Sequence, residues 1–121
     1  MNFQFRDANN SFRSINAQYN SGNYVVSGLP DIPINENGWI KISFANLGIN
    51  GIDLERYNIG GNLYDKENNL ICTLESYTVE DNILNFKFST FTSSKTLGKI
   101  VFEVTDTTNN QVKRTANVIF S

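Results

Sequence analysis

Apolar and polar residues alternate along most of the chain from residue 37 onward. The alternation is clearest at residues 84–89, where apolar side chains occupy one parity and polar ones the other: Leu84, Phe86 and Phe88 against Asn85, Lys87 and Ser89. A period of two predicts β-strands, because a helix would return apolar residues every three or four positions. Polar turns at residues 65–69 and 80–82 divide residues 57–89 into three short strands, so this stretch predicts a β-meander around which the other strands are arranged.

One break in the alternation lies inside this meander. Leu70, Cys72 and Leu74 share a face, whereas Tyr77 and Val79 follow on the opposite parity. A β-bulge inserts one residue and reverses the parity of the side chains that follow it. The pattern therefore predicts a bulge near residues 75–76.

Three further segments show the same alternation and predict strands at residues 39–45, 99–105 and 112–120. Their expected inward residues are Ile40, Ile42, Phe44, Ile100, Phe102, Val104, Ala116, Val118 and Phe120. From Trp39 onward this gives six or seven strands, separated by turn signals. The predicted fold class is all-β, and the pattern favours an antiparallel immunoglobulin-like β-sandwich over residues 37–121.

Residues 1–36 differ in composition from the rest. They are rich in Asn, Ser and Gln, and they carry scattered aromatic residues: Phe3, Phe5, Phe12, Tyr19 and Tyr24. Ser21-Gly22 predicts a hairpin turn between residues 18–19 and 24–27, and Pro30 and Pro33 bracket an extended linker. The predicted organisation is an extended N-terminal arm, with its hairpin and linker, over residues 1–36.

The aromatic residues of this arm have two interpretations. They fold back as edge strands of the sandwich, or they extend and dock on a neighbouring subunit. Aromatic side chains in a polar background without a local apolar partner are typical of a contact surface. We therefore take Phe3, Phe5, Phe12, Tyr19 and Tyr24 as candidate assembly contacts.

The composition excludes the catalytic mechanisms that depend on histidine or on several cysteines. The chain of 121 residues has no histidine, the commonest general base and metal ligand, and a single cysteine. Ser-His and Cys-His nucleophile pairs therefore cannot form. We expect no enzyme activity, no catalytic residue, no bound metal and no cofactor, and we expect Cys72 to be a buried thiol. A glycosidase-like enzyme is a further and remote functional class, and it would need a pair of opposed carboxylates in a cleft.

Charge and hydropathy bear on the possible partners. A net charge of −2 without a basic cluster argues against nucleic-acid binding, and no apolar run has the length of a membrane span. We therefore expect a soluble protein that binds neither nucleic acid nor membrane. Gly60-Gly61 lies within a strand pattern, which favours a bulge or a close backbone approach over a phosphate loop.

Trp39 is the single tryptophan and has two interpretations. On an outward parity it is a candidate ligand platform on which a sugar ring stacks. Alternatively, it covers the mouth of the core or packs against the N-terminal arm. The first interpretation would make the chain a carbohydrate-binding or adhesin module that recognises host glycans.

Residues 53–121 resemble the small immunoglobulin-like domains of tailed-bacteriophage virion structural proteins, including upper-baseplate proteins. The features that carry the resemblance are Asp53-Leu54, Tyr57, Asp65, Asn69-Leu70, Leu84, Phe86, Phe88, Ser89, Thr92 to Gly98, the strand Lys99 to Val104, and Val112, Arg114, Ala116 and Val118. The resemblance implies a non-enzymatic structural subunit of a phage virion, made in the host bacterial cytoplasm. Its partners would be the major capsid protein, tail or baseplate subunits, or further copies of itself.

Overall fold

The structure is a computed structural model that describes the whole chain except the side chain of Lys113. Twelve strands make up almost all of the regular structure. They are β1 (Asn2–Arg6), β2 (Phe12–Asn16), β3 (Gln18–Asn20), β4 (Asn23–Val26), β5 (Pro33–Ile34), β6 (Trp39–Ser43), β7 (Tyr57–Asp65), β8 (Leu70–Thr73), β9 (Tyr77–Glu80), β10 (Ile83–Lys87), β11 (Lys95–Asp106) and β12 (Gln111–Phe120). Two 3-10 helices, Phe44–Leu47 and Gly51–Arg56, occupy the connection between β6 and β7.

The strands form two sheets that pack into a sandwich, which confirms the predicted all-β class. Sheet I has the order β2-β1-β6-β10-β9, and sheet II has the order β3-β4-β12-β11-β7-β8, with β5 also paired to β11. Of the pairs among these strands, β4–β12 is parallel and the others are antiparallel. Seven strands begin at or after Trp39, as the alternation predicted.

The core lies between the sheets and is filled by the inward parity of each strand. Ile40, Leu84 and Phe86 of sheet I are fully buried, as are Ile100 and Phe102 of sheet II. The strong alternation in these strands follows directly from this arrangement, because each sheet has one face on the core and one in solvent. The predicted inward residues of β6, β10, β11 and β12 are confirmed as members of the core.

Residues 1–36 do not form the extended arm that their composition predicted. Five strands, β1 to β5, lie in this segment, and it joins the rest of the chain through the pairs β1–β6, β4–β12 and β5–β11. Phe3 stands opposite Ile42 and Phe5 opposite Ile40. Only 3% of Phe3 and none of Phe5 is exposed, and the Phe3 ring meets that of Phe120 edge-on at 6.3 Å. Phe3 and Phe5 are therefore core residues and not exposed contacts. Of the two interpretations of the arm, the one in which it folds back onto the sandwich applies to them, with ring partners that are distant in sequence.

The hairpin predicted within residues 18–27 is present. β3 and β4 pair with Gln18 opposite Val25 and Tyr19 opposite Tyr24. Ser21 and Gly22 have φ angles of 52° and 93°, the combination that a tight turn between twisted strands requires. The local sequence signal was sufficient here because the two strands are joined by only two residues.

The predicted meander over residues 57–89 is divided between the sheets. β7 and β8 belong to sheet II, whereas β9 and β10 belong to sheet I. Residues 74–76 cross from one sheet to the other, with Leu74 buried and its N–H donating to the Gly61 carbonyl at 2.8 Å. The change of parity near residue 75 therefore marks a sheet crossing, and the prediction of a bulge there is wrong.

Two turns are held by buried carboxylates. Asp7 closes the β1–β2 turn by accepting from the backbone N–H groups of Asn9 and Ser11, at 2.9 Å each, and from Arg13 Nε at 2.7 Å. Burial opposes ionisation of Asp7, but these donors outweigh it and lower its pKa. Asp106 opens the β11–β12 turn and accepts from the Thr108 hydroxyl at 2.6 Å and from Arg56 Nη2 at 3.0 Å.

The stability of the protein is expected to fall as the pH drops from about 4 to about 2. The Thr108 hydroxyl and backbone N–H lower the pKa of Asp106 from the usual 3.8 to about 2, and Arg56 adds to this effect. Between these values the unfolded chain binds a proton that the folded chain does not, so stability rises with pH there. Urea unfolding from pH 7 to pH 2 tests this. Asp106→Asn should be less stable at neutral pH and show a shallower slope below pH 4, and parallel profiles for the two proteins would contradict the assignment.

Candidate binding surfaces

The six residues predicted as site residues lie in three separate places. Phe3 and Phe5 are in the core, as described above. Phe12 and Trp39 meet on the solvent side of sheet I, and Tyr19 and Tyr24 meet at the free edge of sheet II. The predicted set is therefore not one surface, and four of its members remain available for contacts.

Phe12, Trp39 and Lys41 form a cluster that we call the aromatic corner. Trp39 and Lys41 lie on the outward parity of β6, and Phe12 begins β2 with 60% of its surface exposed. The Phe12 and Trp39 rings meet edge-on at 5.0 Å, and Lys41 Nζ lies 4.7 Å from the indole centroid. The indole is half-buried and has two neighbours within the protein. This contact agrees with the interpretation in which Trp39 packs against the N-terminal segment.

A second aromatic pair lies on the β3–β4 hairpin. The rings of Tyr19 and Tyr24 meet edge-on at 5.3 Å. Tyr24 is half-buried against the core, whereas Tyr19 has 68% of its surface exposed. Tyr19 is thus held by one ring contact and offers the rest of its surface to solvent.

Residues 12–20 form one continuous edge that serves both sheets, and we call them the edge segment. β2 is the last strand of sheet I, β3 is the last strand of sheet II, and Ala17 is the residue between them. Ala17 is buried, its N–H donates to the Met1 carbonyl, and its own carbonyl accepts from the Met1 ammonium, both at 2.8 Å. Each strand of the segment has a sheet partner on one side only in the described sheets. The edge segment therefore presents backbone donors and acceptors beside the exposed rings of Phe12 and Tyr19.

The outer face of sheet I is polar across all five strands. The strand registers place side chains of the outward parity in one row, Ser14, Gln4, Lys41, Asn85 and Thr78. A parallel row contains Asn16, Asn2, Ser43, Ile83 and Glu80. Most of these side chains carry an amide or a hydroxyl group and no charge.

All members of these rows except Thr78 line a groove of about 770 Å³, which we call the polar groove. Asn46, on the first 3-10 helix, lines one end and donates from Nδ2 to the Asn2 carbonyl at 2.9 Å. Glu80 and Asp81, at the β9–β10 turn, line it as well. Asn85 Oδ1 is buried and has no hydrogen-bond partner among the described groups. Trp39 and Phe12 are not part of the lining.

Sequence reasoning did not identify the polar groove. Its residues occupy the outward parity of strands whose inward parity was recognised, such as Lys41 between Ile40 and Ile42. The alternation could have shown that these positions face solvent. It could not show that they form one row, because the row depends on the register between strands far apart in sequence.

A smaller groove of about 460 Å³ lies on the outer face of sheet II beside Gly60 and Gly61. Glu75 and Glu103 line it, and both are exposed, whereas a general acid in glycoside hydrolysis needs a carboxyl shielded from water. A Cβ atom on Gly60 would lie 2.9 Å from the Leu74 carbonyl oxygen, and one on Gly61 would overlap the Val101 carbonyl. The prediction of a close backbone approach at Gly60-Gly61 is therefore confirmed.

The titratable groups show no arrangement for holding a metal ion. Among the described residues, no three His, Cys, Asp or Glu side chains converge on one point. Cys72 is buried as predicted, and its burial raises the pKa of the thiol although Ser89 opposes the shift. The described part of the chain also has no helix with the length and apolarity that a bilayer crossing requires.

The chain thus offers two surfaces for recognition, the edge segment and the polar groove. Comparison with models of known protein families, with curated proteins and with solved structures found no match for this chain. The geometry and chemistry of these two surfaces are therefore the basis for a functional inference.

Proposed function

We propose that the protein is a non-enzymatic structural subunit of a tailed-bacteriophage virion, either an auxiliary capsid protein or a tail or baseplate accessory. It is held in the particle by protein–protein contacts of the edge segment. The observation that carries the proposal is that residues 12–20 run along the free edges of both sheets and present Phe12 and Tyr19 to solvent.

The strand order supports the resemblance that suggested this class. The run β1-β6-β10-β9 in sheet I follows the order A-B-E-D of an immunoglobulin domain, and β12-β11-β7-β8 in sheet II follows G-F-C-C′. On this assignment β2, β3, β4 and β5 are additions to an immunoglobulin-like sandwich. Two of the four additions form the edge segment, so the segment proposed to bind belongs to the part of the chain that differs from a plain domain.

The mechanism is addition of a neighbour's strand to an open edge. An edge strand has a row of backbone N–H and C=O groups that a second chain can pair with, and such pairing is a recurrent mode of recognition. Burial of exposed aromatic rings beside the new pair adds affinity, because aromatic anchors carry much of the energy of protein interfaces. The partner is the major capsid protein, a tail or baseplate subunit, or a second copy of this chain.

Replacing both exposed rings of the edge segment should prevent assembly while leaving the fold intact. The double variant Phe12→Ser/Tyr19→Ser is expected to enter tailed-phage particles at least about tenfold less than the parent chain, because two anchor residues are lost. The measurement is quantitative mass spectrometry of particles purified from a host that expresses the chain during infection. Circular dichroism and urea unfolding of the free protein should be nearly unchanged.

The matched control is Ile52→Ser. Ile52 lies on the second 3-10 helix, outside the edge segment, and 89% of its surface is exposed. This substitution removes a comparable exposed apolar side chain and should leave incorporation unchanged. Normal incorporation of the double variant would overturn the role of the edge segment, and absence of the parent chain from particles would overturn the proposal as a whole.

A further inference from the structure

The polar groove has the dimensions of a small-molecule site. Its volume of about 770 Å³ lies within the range of about 300–1,000 Å³ typical of ligand sites. All five strands of sheet I contribute to its lining or its rows, so the side chains are held on regular structure and not on loops. We propose that this groove binds a neutral, unbranched oligosaccharide, and that Gln4, Lys41 and Asn85 form its central contacts.

The chemistry of the lining selects for neutral hydroxyl groups. An Asn or Gln side chain offers two N–H donors and a carbonyl acceptor, and a Ser side chain both donates and accepts. The uncharged lining residues include Asn2, Gln4, Ser14, Asn16 and Asn85. A sugar hydroxyl also donates and accepts, so each of these side chains can satisfy it. Phe3, Ile15 and Ile83 also line the groove, but Phe3 and Ile15 are buried core residues, so the side chains that a ligand meets are mainly polar.

The charges of the groove argue against an anionic ligand. Lys41 contributes one positive charge, and Glu80 and Asp81 contribute two negative charges at the β9–β10 turn. Recognition of phosphate, sulfate or nucleic acid relies on clustered Lys and Arg. A lining with a single Lys and two carboxylates does not attract such groups, and it tolerates a neutral ligand.

The row Gln4-Lys41-Asn85 sets the direction of the bound chain. Adjacent strands lie about 4.8 Å apart, so neighbouring positions of the row repeat at that spacing across the sheet. The three residues are consecutive members of the row on β1, β6 and β10. A linear saccharide that crosses the strands meets a new hydrogen-bonding side chain at each of these strands.

Asn85 Oδ1 is the one feature of the groove that the folded protein leaves unexplained. A buried carbonyl oxygen without a donor costs about 1–3 kcal/mol, and such groups are few in native proteins. Asn85 lines the groove, and rotation about χ2 of an Asn side chain is soft, so the amide can turn toward a ligand. A bound hydroxyl would then supply the missing donor.

The polar groove lies away from Trp39, the residue that the sequence predicted as a platform for a sugar ring. Trp39 is outside the lining, and its ring is already in contact with Phe12 and Lys41. A stacking mechanism would depend on the indole, whereas the groove mechanism depends on Gln4 and Asn85. The two mechanisms therefore predict opposite effects of substitutions at these positions.

The test uses the full chain labelled with ¹⁵N and titrated by NMR with three neutral unbranched probes, maltohexaose, cellohexaose and chitohexaose, and with oligogalacturonate as the anionic comparison. At least one neutral probe is expected to shift amide signals of β1, β6 and β10. Gln4→Ala and Asn85→Ala should each weaken its binding about tenfold, which corresponds to about 1.4 kcal/mol. Trp39→Phe, which keeps an aromatic ring against Phe12, should change the affinity less than about twofold.

Three outcomes would overturn the proposal: no shifts with any neutral probe, binding of oligogalacturonate alone, or binding that is lost in Trp39→Phe and kept in both groove variants. Gln4→Ala tests the groove without a core substitution, because Gln4 is exposed. Neither Gln4 nor Asn85 belongs to the edge segment. The groove shares Ser14, Ile15 and Asn16 with the edge segment. None of the substituted residues is shared, so the effect of each variant on particle incorporation or on oligosaccharide binding is assigned to one surface.

Discussion

Replacing Phe5 with alanine is expected to lower the free energy of unfolding by about 3–5 kcal/mol, the cost of removing a large aromatic side chain from a packed core. Phe5 has no exposed surface, stands opposite Ile40 in sheet I and packs beside Phe3. A domain of this size has a total stability of about 5–15 kcal/mol, so the substitution removes a large part of it. Urea unfolding followed by circular dichroism measures the change.

Phe12→Ala is the matched control for Phe5→Ala. Phe12 lies in the same β-hairpin and is the same residue type, but it has 60% of its surface exposed. Its substitution should cost less than about 1 kcal/mol. Equal effects of the two substitutions would contradict the position of β1 in the sandwich. A negligible effect of Phe5→Ala on stability would instead support the prediction that residues 1–36 form an extended arm.

Gly61→Ala is expected to destabilise the protein by about 3 kcal/mol or more, because the added methyl group has no room. A Cβ atom at Gly61 would overlap the carbonyl of Val101 on the neighbouring strand β11, and backbone atoms of a central strand cannot move aside as a side chain can. Thermal unfolding monitored by circular dichroism gives the shift. The expected result is a large decrease in the unfolding temperature with the same β-sheet spectrum below it.

Gly28→Ala provides the comparison at an open position. Gly28 has a φ of +77°, which disfavours alanine, but no atom lies within 4 Å of the position that its methyl group would take. Only the backbone cost of about 1 kcal/mol is expected there. If Gly61→Ala lowered the stability no more than Gly28→Ala does, that result would contradict the close approach between the backbones of β7 and β11.

The inward faces of the strands after residue 37 could be predicted because the signal is local. A strand with one face on the core and one in water repeats every two residues, whatever its partners are. Ile40, Ile42, Leu84 and Phe86 follow this rule, and all are core residues. The sequence signal for the turn at Ser21-Gly22 was also local, because it depends only on the residues that adopt positive φ angles in the turn itself.

The assignment of strands to sheets could not be predicted in the same way. A change of parity at residue 75 is compatible with a bulge or with a crossing between sheets, and only the long-range pairs of β8 and β9 distinguish the two. The prediction of an extended arm for residues 1–36 was wrong for a related reason. Phe3 and Phe5 alternate with Asn2, Gln4 and Arg6 like any other strand, but the polar composition around them concealed the pattern.

The candidate surfaces were predictable only in part. The sequence indicated Phe12 and Tyr19 as candidate assembly contacts, and the side chains of both are exposed. The polar groove was not, because Gln4, Lys41 and Asn85 come from three segments that only the sheet brings together. An amide on the outward parity of a strand has no local sign that separates a binding residue from a solvated one.

The parallel pair β4–β12 has a consequence for how the protein folds. Val118 and Phe120 must reach Tyr24 and Val26, so the first and last parts of the chain meet in sheet II. The β3–β4 hairpin therefore joins the rest of sheet II only through β12, a strand that follows it by most of the described chain. This pair forms only when a long loop closes, so folding is expected to take on the order of milliseconds to seconds, as in other domains dominated by long-range contacts.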